Sequence, residues 1–465
     1  MDGSRVGHGG GGRGRRIHRD LTIGSVRKHL LGLAWPQVAE SVLNIVDQLV
    51  DLVWAGRLPG GFRAVAGLGV AQSFTQFGMM ARQGLDMSMR AMIARAVGSG
   101  DIRLANHVAL QGFTTTAVYS ILLVIVGLVL TDVLMRAIGA SAAVQAETGM
   151  YMRIQFIGMS TMSFRMMTAA ALQASGDVVT PLKATTLTRI IHIALTPFLM
   201  FGWWWFPDLG LAGAALANVL AQLAGCALNF HALFTGRSRL HLSLKGYRAD
   251  LPLIWRMLKL GAPASVGGLE RATAQLALLR FVTPFGDVAL AAYSITRRSE
   301  MFANFGGMGM GQAAGILAGQ NLGAGKPERA REALKWAQIY IFLMNGVIGV
   351  LIFAVPVLFV SVFTSNPEVV ELTSTWLRIQ VIAAVFMVQA MVFQQAFNVA
   401  GDTMAPMVVT LLAVWGVEIP LAYFLSHSHF GVLGIAYAAI GGFAARWIFY
   451  FPYYVWGRWL RVKVI

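Results

Sequence analysis

The sequence is poor in the groups on which most enzymes and secreted domains depend. It has one cysteine, Cys226, in 465 residues, which excludes an internal disulfide framework and a thiolate metal cluster. Charged residues make up 12% of the chain, against about 25% in an ordinary soluble domain. No Walker motif, metal-ligand spacing or nucleophile elbow occurs, which argues against an enzyme or an ATP-driven pump, and no metal or cofactor is expected. The first 28 residues are rich in Gly and Arg, with Arg13, Arg15, Arg16 and Arg19. They lack a short apolar run followed by a small-residue cleavage site, so they do not read as a cleavable signal. The stretch GGGGRGRR has neither a preceding strand nor the Lys-Ser/Thr ending of a phosphate loop. It reads as a solvated, disordered tail.

What is abundant is apolar. Hydrophobic residues reach 56% and mean hydropathy is +0.63, so lipid must be the main solvent. Spanning-length segments occur at about 29–56, 64–98, 104–131, 144–172, 180–204, 211–236, 251–283, 288–320, 330–362, 368–400, 405–427 and 431–457. The fold expected is an all-α polytopic membrane protein of 12 transmembrane helices. Residues 1–28 are a basic tail, 29–236 and 251–465 two six-helix lobes, and 237–250 a polar link. The net charge of +16 does not point to nucleic acid, because it sits between apolar runs, where it sets orientation. With the N-terminus inside, about 17 Lys and Arg fall in inside segments and about three outside, namely Arg57, Arg63 and Arg136. Both termini are therefore expected to be cytoplasmic, in a cell inner membrane.

An internal repeat orders the segments. Gly98-Ser99-Gly100-Asp101 recurs as Gly323-Ala324-Gly325-Lys326, and Gly176-Asp177 with Pro181 recurs as Gly401-Asp402 with Pro406, all at a shift of 225. Gly210-Leu211-Ala212-Gly213 echoes Gly431-Val432-Leu433-Gly434 at 221. A shift of six helices is even, so the two lobes share one orientation and are related by a pseudo-two-fold axis along the membrane normal. Such parallel repeats leave a cleft that can open to either side.

Charges inside spans are expensive and point to function. In the first span Asp47 and Asp51 lie one turn apart, with Asn44 and Glu40 on much the same face. Two carboxylates so close repel when both are ionised, so one could bind and release a proton near neutral pH, or the pair could ligate sodium. His192 in the fifth span could pass protons. Thr196 follows one turn later, Pro197 loosens the helix there, and Asn218 could reach the same region. In the seventh span Glu270 could bind a cationic substrate or ion, or pair with Arg280, Arg297 or Arg298. Glu418 precedes Pro420 in the eleventh. Tyr293, Met301, Met308, Met310, Phe305, Phe164 and Trp54 offer thioether and aromatic surface for varied flat substrates, although most such residues simply face lipid or other helices. Asp177 and Asp402 read as turn caps.

Six segments together carry a family resemblance. They are Leu31-Gly32-Leu33-Ala34-Trp35-Pro36, Val50-Asp51-Leu52-Val53-Trp54-Ala55-Gly56-Arg57-Leu58, Ala94 to Asp101, Gly176-Asp177 with Pro181, Gly210 to Ala217, and Gly319 to Gly325. The chain resembles the multidrug and toxic compound extrusion (MATE) family over nearly all of its length beyond the basic tail. The resemblance implies two six-helix lobes, alternating access, and export of cationic dyes, fluoroquinolones and similar amphipathic drugs against a proton or sodium gradient. It also implies that coupling centres on Asp51. There are departures. The Asn and Asp of the family's fifth-helix Asn-x-x-x-Asp-Pro pattern are replaced by His192 and Thr196, the sixth-helix threonine by Asn218, and a helix-ten acidic residue of some sodium-type members by Met387. Glu270 falls close to their helix-seven acidic position.

The expectation is therefore a monomeric antiporter of small organic cations or amphipathic compounds, with H+ favoured over Na+ as coupling ion. Asp51, Asp47, His192, Thr196 and Asn218 would serve coupling. Glu270, Asn44, Tyr293, Met301 and Phe305 would contact substrate. The alternatives are an exporter of one endogenous metabolite, a lipid-precursor flippase, which would want a large cationic cleft, and an ion channel, which would need a filter sequence that is not visible.

Overall fold

The computed structural model describes residues 20–58, 61–137 and 142–464. Among these the chain is built of helices: α1 (Val26–Gly56), α2 (Gly61–Gly98), α3 (Ile102–Ala137), α4 (Ala142–Ala174), α5 (Val179–Phe201), α6 (Leu211–Phe234), α7 (Leu251–Val282), α8 (Gly286–Gly323), α9 (Pro327–Ala354), α10 (Pro356–Val360), α11 (Pro367–Ala400), α12 (Met404–Ala413), α13 (Ile419–Ser426) and α14 (Leu433–Trp456). Two of the expected spans are broken. The ninth stops at Ala354 because Pro356 cannot donate to the helix and forces Val355 out of helical geometry (φ −131°, ψ 55°), leaving α10 as a separate short turn. The eleventh is α12 and α13 joined by a π turn at Val414–Glu418, which leads into Pro420. With these joined the chain makes twelve spans in two lobes, α1–α6 and α7–α14. The basic tail falls mostly outside the described residues.

By length and composition, eight helical runs among the described residues are apolar enough to cross a membrane. Helices α1, α2 and α4 are not among those runs; their described residues carry charges, Glu40, Asp47 and Asp51 in α1, Arg82, Asp86, Arg90 and Arg95 in α2, Arg153 and Arg165 in α4.

The repeat is visible in backbone and packing alike. Gly176 and Gly401 close α4 and α11 with φ +100° and +104°, a left-handed turn that a side chain would strain. In both, the following aspartate caps the next helix: Asp177 Oδ1 accepts from Thr180 N (3.0 Å) and Asp402 Oδ1 from Ala405 N (3.2 Å). The lobes touch reciprocally. Gly98 of α2 lies on the backbone of Gln320, and Gly323 of α8 on that of Arg95. Arg95 Nη2 donates to Ala400 O (3.2 Å) and Gln320 Nε2 to Ala174 O (2.8 Å). Gly84 of α2 packs on Gly261 of α7, and Gly309 of α8 on Gln37 and Val38 of α1.

The first helix of each lobe crosses into the other. Val26, Leu30, Leu33 and Ala34 of α1 belong to the core of the second lobe, and Leu253 and Met257 of α7 to that of the first. Asn321, Lys326 and Arg329 grip the carbonyls of Leu21, Thr22 and Gly24. The link between the lobes is clasped to α3. Gln111 Nε2 donates to Arg248 O (2.8 Å), and His107 pairs with Asp250 (3.0 Å). The described hydrogen bonds between lobes lie from the middle of the helices to the end bearing the link and the C-terminus, so the cleft is closed at that end.

Candidate functional site

The first lobe holds a buried polar cluster. On α1, Asn44, Asp47 and Asp51 follow one another at helical spacing and meet α5, where Arg189 and His192 are one turn apart on one face. Arg189 Nη1 donates to Asp47 Oδ2, and Nη2 to Asn44 Oδ1 (2.8 Å). His192 Nδ1 lies 2.8 Å from Asp47 Oδ1, and Nε2 is 3.5 Å from Asp51 Oδ1. The imidazole, 1% exposed, thus sits between two carboxylates. At 3.5 Å the contact with Asp51 is an ion-pair distance rather than a hydrogen bond, and Asp51 Oδ1 has no hydrogen-bond partner. Thr196 is committed to its own helix, Oγ1 donating to His192 O (2.7 Å) beside Pro197. Asn218 accepts from Gln222 Nε2 (3.2 Å), and Gln222 in turn accepts from Arg165. It therefore belongs to a neighbouring network on α4 and α6, not to the Asp47–His192 contact.

Glu40 joins a chain of contacts toward the closed end. Gln173 Nε2 donates to Glu40 Oε2 (3.1 Å), and Arg90 Nη1 to Gln173 Oε1 (2.6 Å). Arg90 and Arg82 both face Asp86, at 3.5 and 3.7 Å.

The second lobe has its own cluster. Glu270 of α7 is 5% exposed and neither oxygen makes a hydrogen bond, although the indole of Trp415 lies alongside. Its neighbouring cations are Arg446 and Arg271 rather than any of Arg280, Arg297 or Arg298, the alternatives the sequence offered. Arg297 instead donates to Glu300, which also accepts from Gln380 Nε2 (2.6 Å). Glu418, on the π turn, faces Arg446 at 3.5 Å. Tyr293 packs against Trp376, the rings tilted at 58°, with its hydroxyl buried and without a hydrogen-bond partner. The side chains of Met301 and Phe305 lie outside the described residues. Trp54 packs on Phe201 and Trp203, Phe164 on Phe230, and Met310 in the second core.

Sequence reasoning missed Arg189, Glu300 and Arg446 as partners. The spacing of Arg189 and His192 was the available signal. Arg297 and Glu300, three residues apart on α8, offered an i, i+3 signal as well, whereas Arg446 gave none, because its partner Glu418 comes from another helix.

The comparisons agree with this architecture. A family model described as MatE matches the chain twice, at residues 36–198 and 263–424, once per lobe. The probable multidrug resistance protein YoeA of Bacillus subtilis is 27% identical over 91% of this chain and 92% of its own length. The probable multidrug resistance protein NorM of Thermotoga maritima is 24% identical over 95% of each, and a Shewanella oneidensis FAD transporter 24% over 90% and 92%. Among solved structures, an outward-facing multidrug resistance MATE transporter superposes with TM-score 0.85 at 20% identity, covering 94% of this chain and 96% of that one. With two reciprocal lobes and a family match in each half, this chain belongs to the MatE family of multidrug and toxic compound extrusion transporters.

Proposed function

We propose that the protein is a secondary active antiporter of the plasma membrane that exports organic cations or other amphipathic compounds in exchange for protons. It would act as a monomer with both termini in the cytoplasm. The observation that carries this reading is the division of labour between the two α1 carboxylates. Asp47 is already balanced by Arg189. Asp51 has no arginine ion pair among the described residues, and His192 stands 3.5 Å across from it. A proton arriving at Asp51 removes the one charge of the pair that lacks an arginine, and His192 offers a route for it. Sodium fits less well: it is a hard cation that prefers oxygen ligands, whereas the three groups that converge here, Asp47, Asp51 and His192, include an imidazole and stand beside a guanidinium.

The fold supplies the transmission. The outer half of α1 bears the site against α5, while its inner half is packed in the other lobe. Pro36 lies inside the helix between them, where the i−4 hydrogen bond is lost. Neutralising Asp51 changes how the outer half packs, and the anchored inner half converts that into a change between lobes. The reciprocal glycine contacts between α2 and α8 then part or close as the lobes rock. One proton per monovalent cation is electroneutral, so a one-unit pH difference sustains about a tenfold substrate gradient, roughly 1.4 kcal/mol.

The test is ethidium efflux from cells stripped of their own pumps. Wild type extrudes the dye, a protonophore stops it, sodium removal does not, and Asp51→Asn is inactive at equal expression. Full activity in Asp51→Asn refutes the coupling assignment. A second reading, export of one endogenous metabolite, is favoured by the likeness to a relative named as an FAD transporter. Failure of wild type to move any dye would select it.

A further inference from the structure

Four consecutive aromatic residues, Trp203-Trp204-Trp205-Phe206, lie in the loop that joins α5 to α6. The loop is at the end of the molecule opposite the link and the C-terminus. All four side chains are exposed, Trp204 by 79% and Trp205 by 93%.

The backbone holds them out. Gly202 closes α5 in the left-handed region at φ +64°, and Trp204 has the same φ. It is the one non-glycine residue with positive φ among the described residues. A bulky side chain rarely adopts that conformation, so the surroundings must hold the turn. They are a base of rings. Phe198 meets Trp203, Trp204 and Phe206 with centroids 5.8, 5.7 and 6.2 Å away, and Phe201 stacks on Trp203. Trp54 of α1 packs edge-on against Trp203 (6.5 Å, 87°), and the rings of Trp204 and Trp205 lie 6.2 Å apart. Asp208 is taken up within the loop, its Oδ1 accepting from Gly210 N (3.2 Å).

An exposed aromatic patch of this kind marks an interaction surface, and three observations favour lipid as its occupant. The first is continuity. Ile190 and Ala194 are exposed on α5, and Phe198 and Gly202 follow them at i, i+4 spacing, so the outward stripe of the helix runs into the loop. Leu220 and Leu223 of α6 are exposed beside it, and both helices are long and apolar enough to span. The second is height. The 23 residues of α5 cover ~34 Å at 1.5 Å each, slightly more than the ~30 Å of hydrocarbon in a bilayer. The loop therefore falls just beyond the acyl chains. The third is chemistry. An indole has an apolar body and one N–H donor, which suits a boundary that is dry on one side and wet on the other. Arg57, exposed and 5.0 Å above the Trp54 ring, places a cation where lipid phosphates stand.

We propose that Trp203–Phe206 is a docking surface for the lipid leaflet on this side, seated in its headgroup and ester zone, and that it holds the α5–α6 hairpin at a fixed depth. The inference does not depend on the antiport reading.

The test is tryptophan fluorescence of the full chain, one copy per phosphatidylcholine nanodisc. Subtracting the emission of Trp204→Ser/Trp205→Ser from that of wild type isolates the two exposed indoles. Lipid brominated high on the acyl chain should remove most of this difference emission. Lipid brominated near the chain end should remove less, and aqueous iodide little. Strong quenching by iodide with none by lipid would place the loop in water and overturn the proposal. Quenching by neither would mean that protein covers the loop, and stronger quenching by the deep bromine would put it among the acyl chains. Either result also overturns it. Trp205→Ser alone, at the most exposed of the four positions, gives the same comparison if the double variant does not fold.

Discussion

Adding one methyl group at Gly98 should hold the lobes apart at the end where they now close. A Cβ at Gly98 would stand 2.0 Å from Gln320 O and 2.7 Å from its Cα. Ordinary contact begins at 3.4 Å, and the obstacle is helix backbone rather than a side chain that could swing away. Overpacking of this kind costs about 1–3 kcal/mol. Here the cost falls on the closed arrangement alone, because only there does α8 abut α2. The population of that arrangement should fall by roughly 5- to 150-fold relative to one in which the helix ends have separated. Gly323→Ala should act the same way, since its Cβ would stand 2.1 Å from Arg95 O. Gly346→Ala, with nothing within 4 Å of the added carbon, is the control. Spin labels at Arg103 and Glu328, both exposed and related by the repeat, in a Cys226→Ser background, report the opening by pulsed dipolar spectroscopy. Longer distances in both alanine variants and none in the control are expected. Distances unchanged from wild type in Gly98→Ala would refute the claim that this contact closes the cleft.

Three further outcomes follow from the same structure. Asp47→Asn removes the charge opposite Arg189 and should destabilise the detergent-purified protein by about 3–5 kcal/mol, because a buried guanidinium loses its partner. Adding Arg189→Gln should recover part of the loss, and a double-mutant cycle in thermal unfolding measures it. Gly401→Ala should lower the melting temperature: φ is +104° there, and the added carbon would lie 2.1 Å from Val464. At the link, the His107 hydrogen bond and the Leu253 N–H hold the Asp250 carboxyl below its ordinary value of 3.8. A depressed carboxylate pKa stabilises above the unfolded value and is lost as pH falls through the folded one. The protection of residues 240–253 against hydrogen exchange, taken relative to the intrinsic rate at each pH, should therefore hold at neutral pH and fall once the pH drops below 3.8.

Much of this architecture could be read from the chain. The repeat was legible because turns impose local demands. Gly176-Asp177 and Gly401-Asp402 combine a left-handed residue with a cap, and no long-range contact is needed to require either. Asp47, Asp51 and His192 stood out because charge in an apolar run is rare. Their meeting did not follow from the sequence: nothing local says that α5 lies against the outer half of α1. The same holds for Arg189, which pairs with Asp47, whereas the pairing of Arg297 with Glu300 lies three residues apart on one helix and was within reach of the spacing. Asn218 looked like a member of the His192 site and instead bonds Gln222 one turn away on its own helix.

Hydropathy, helical periodicity and the even shift of the repeat therefore determined the solvent, the span count and the parallel relation of the lobes, since each depends on residues close in the chain or on composition alone. Tertiary structure decided which carboxylate keeps an arginine, a matter of α1 packing on α5 within one lobe, and that the first helix of each lobe is anchored in the other, a matter of packing across the lobes. A buried charge is defined by the partner that reaches it, and the partners here come from residues more than a hundred positions away.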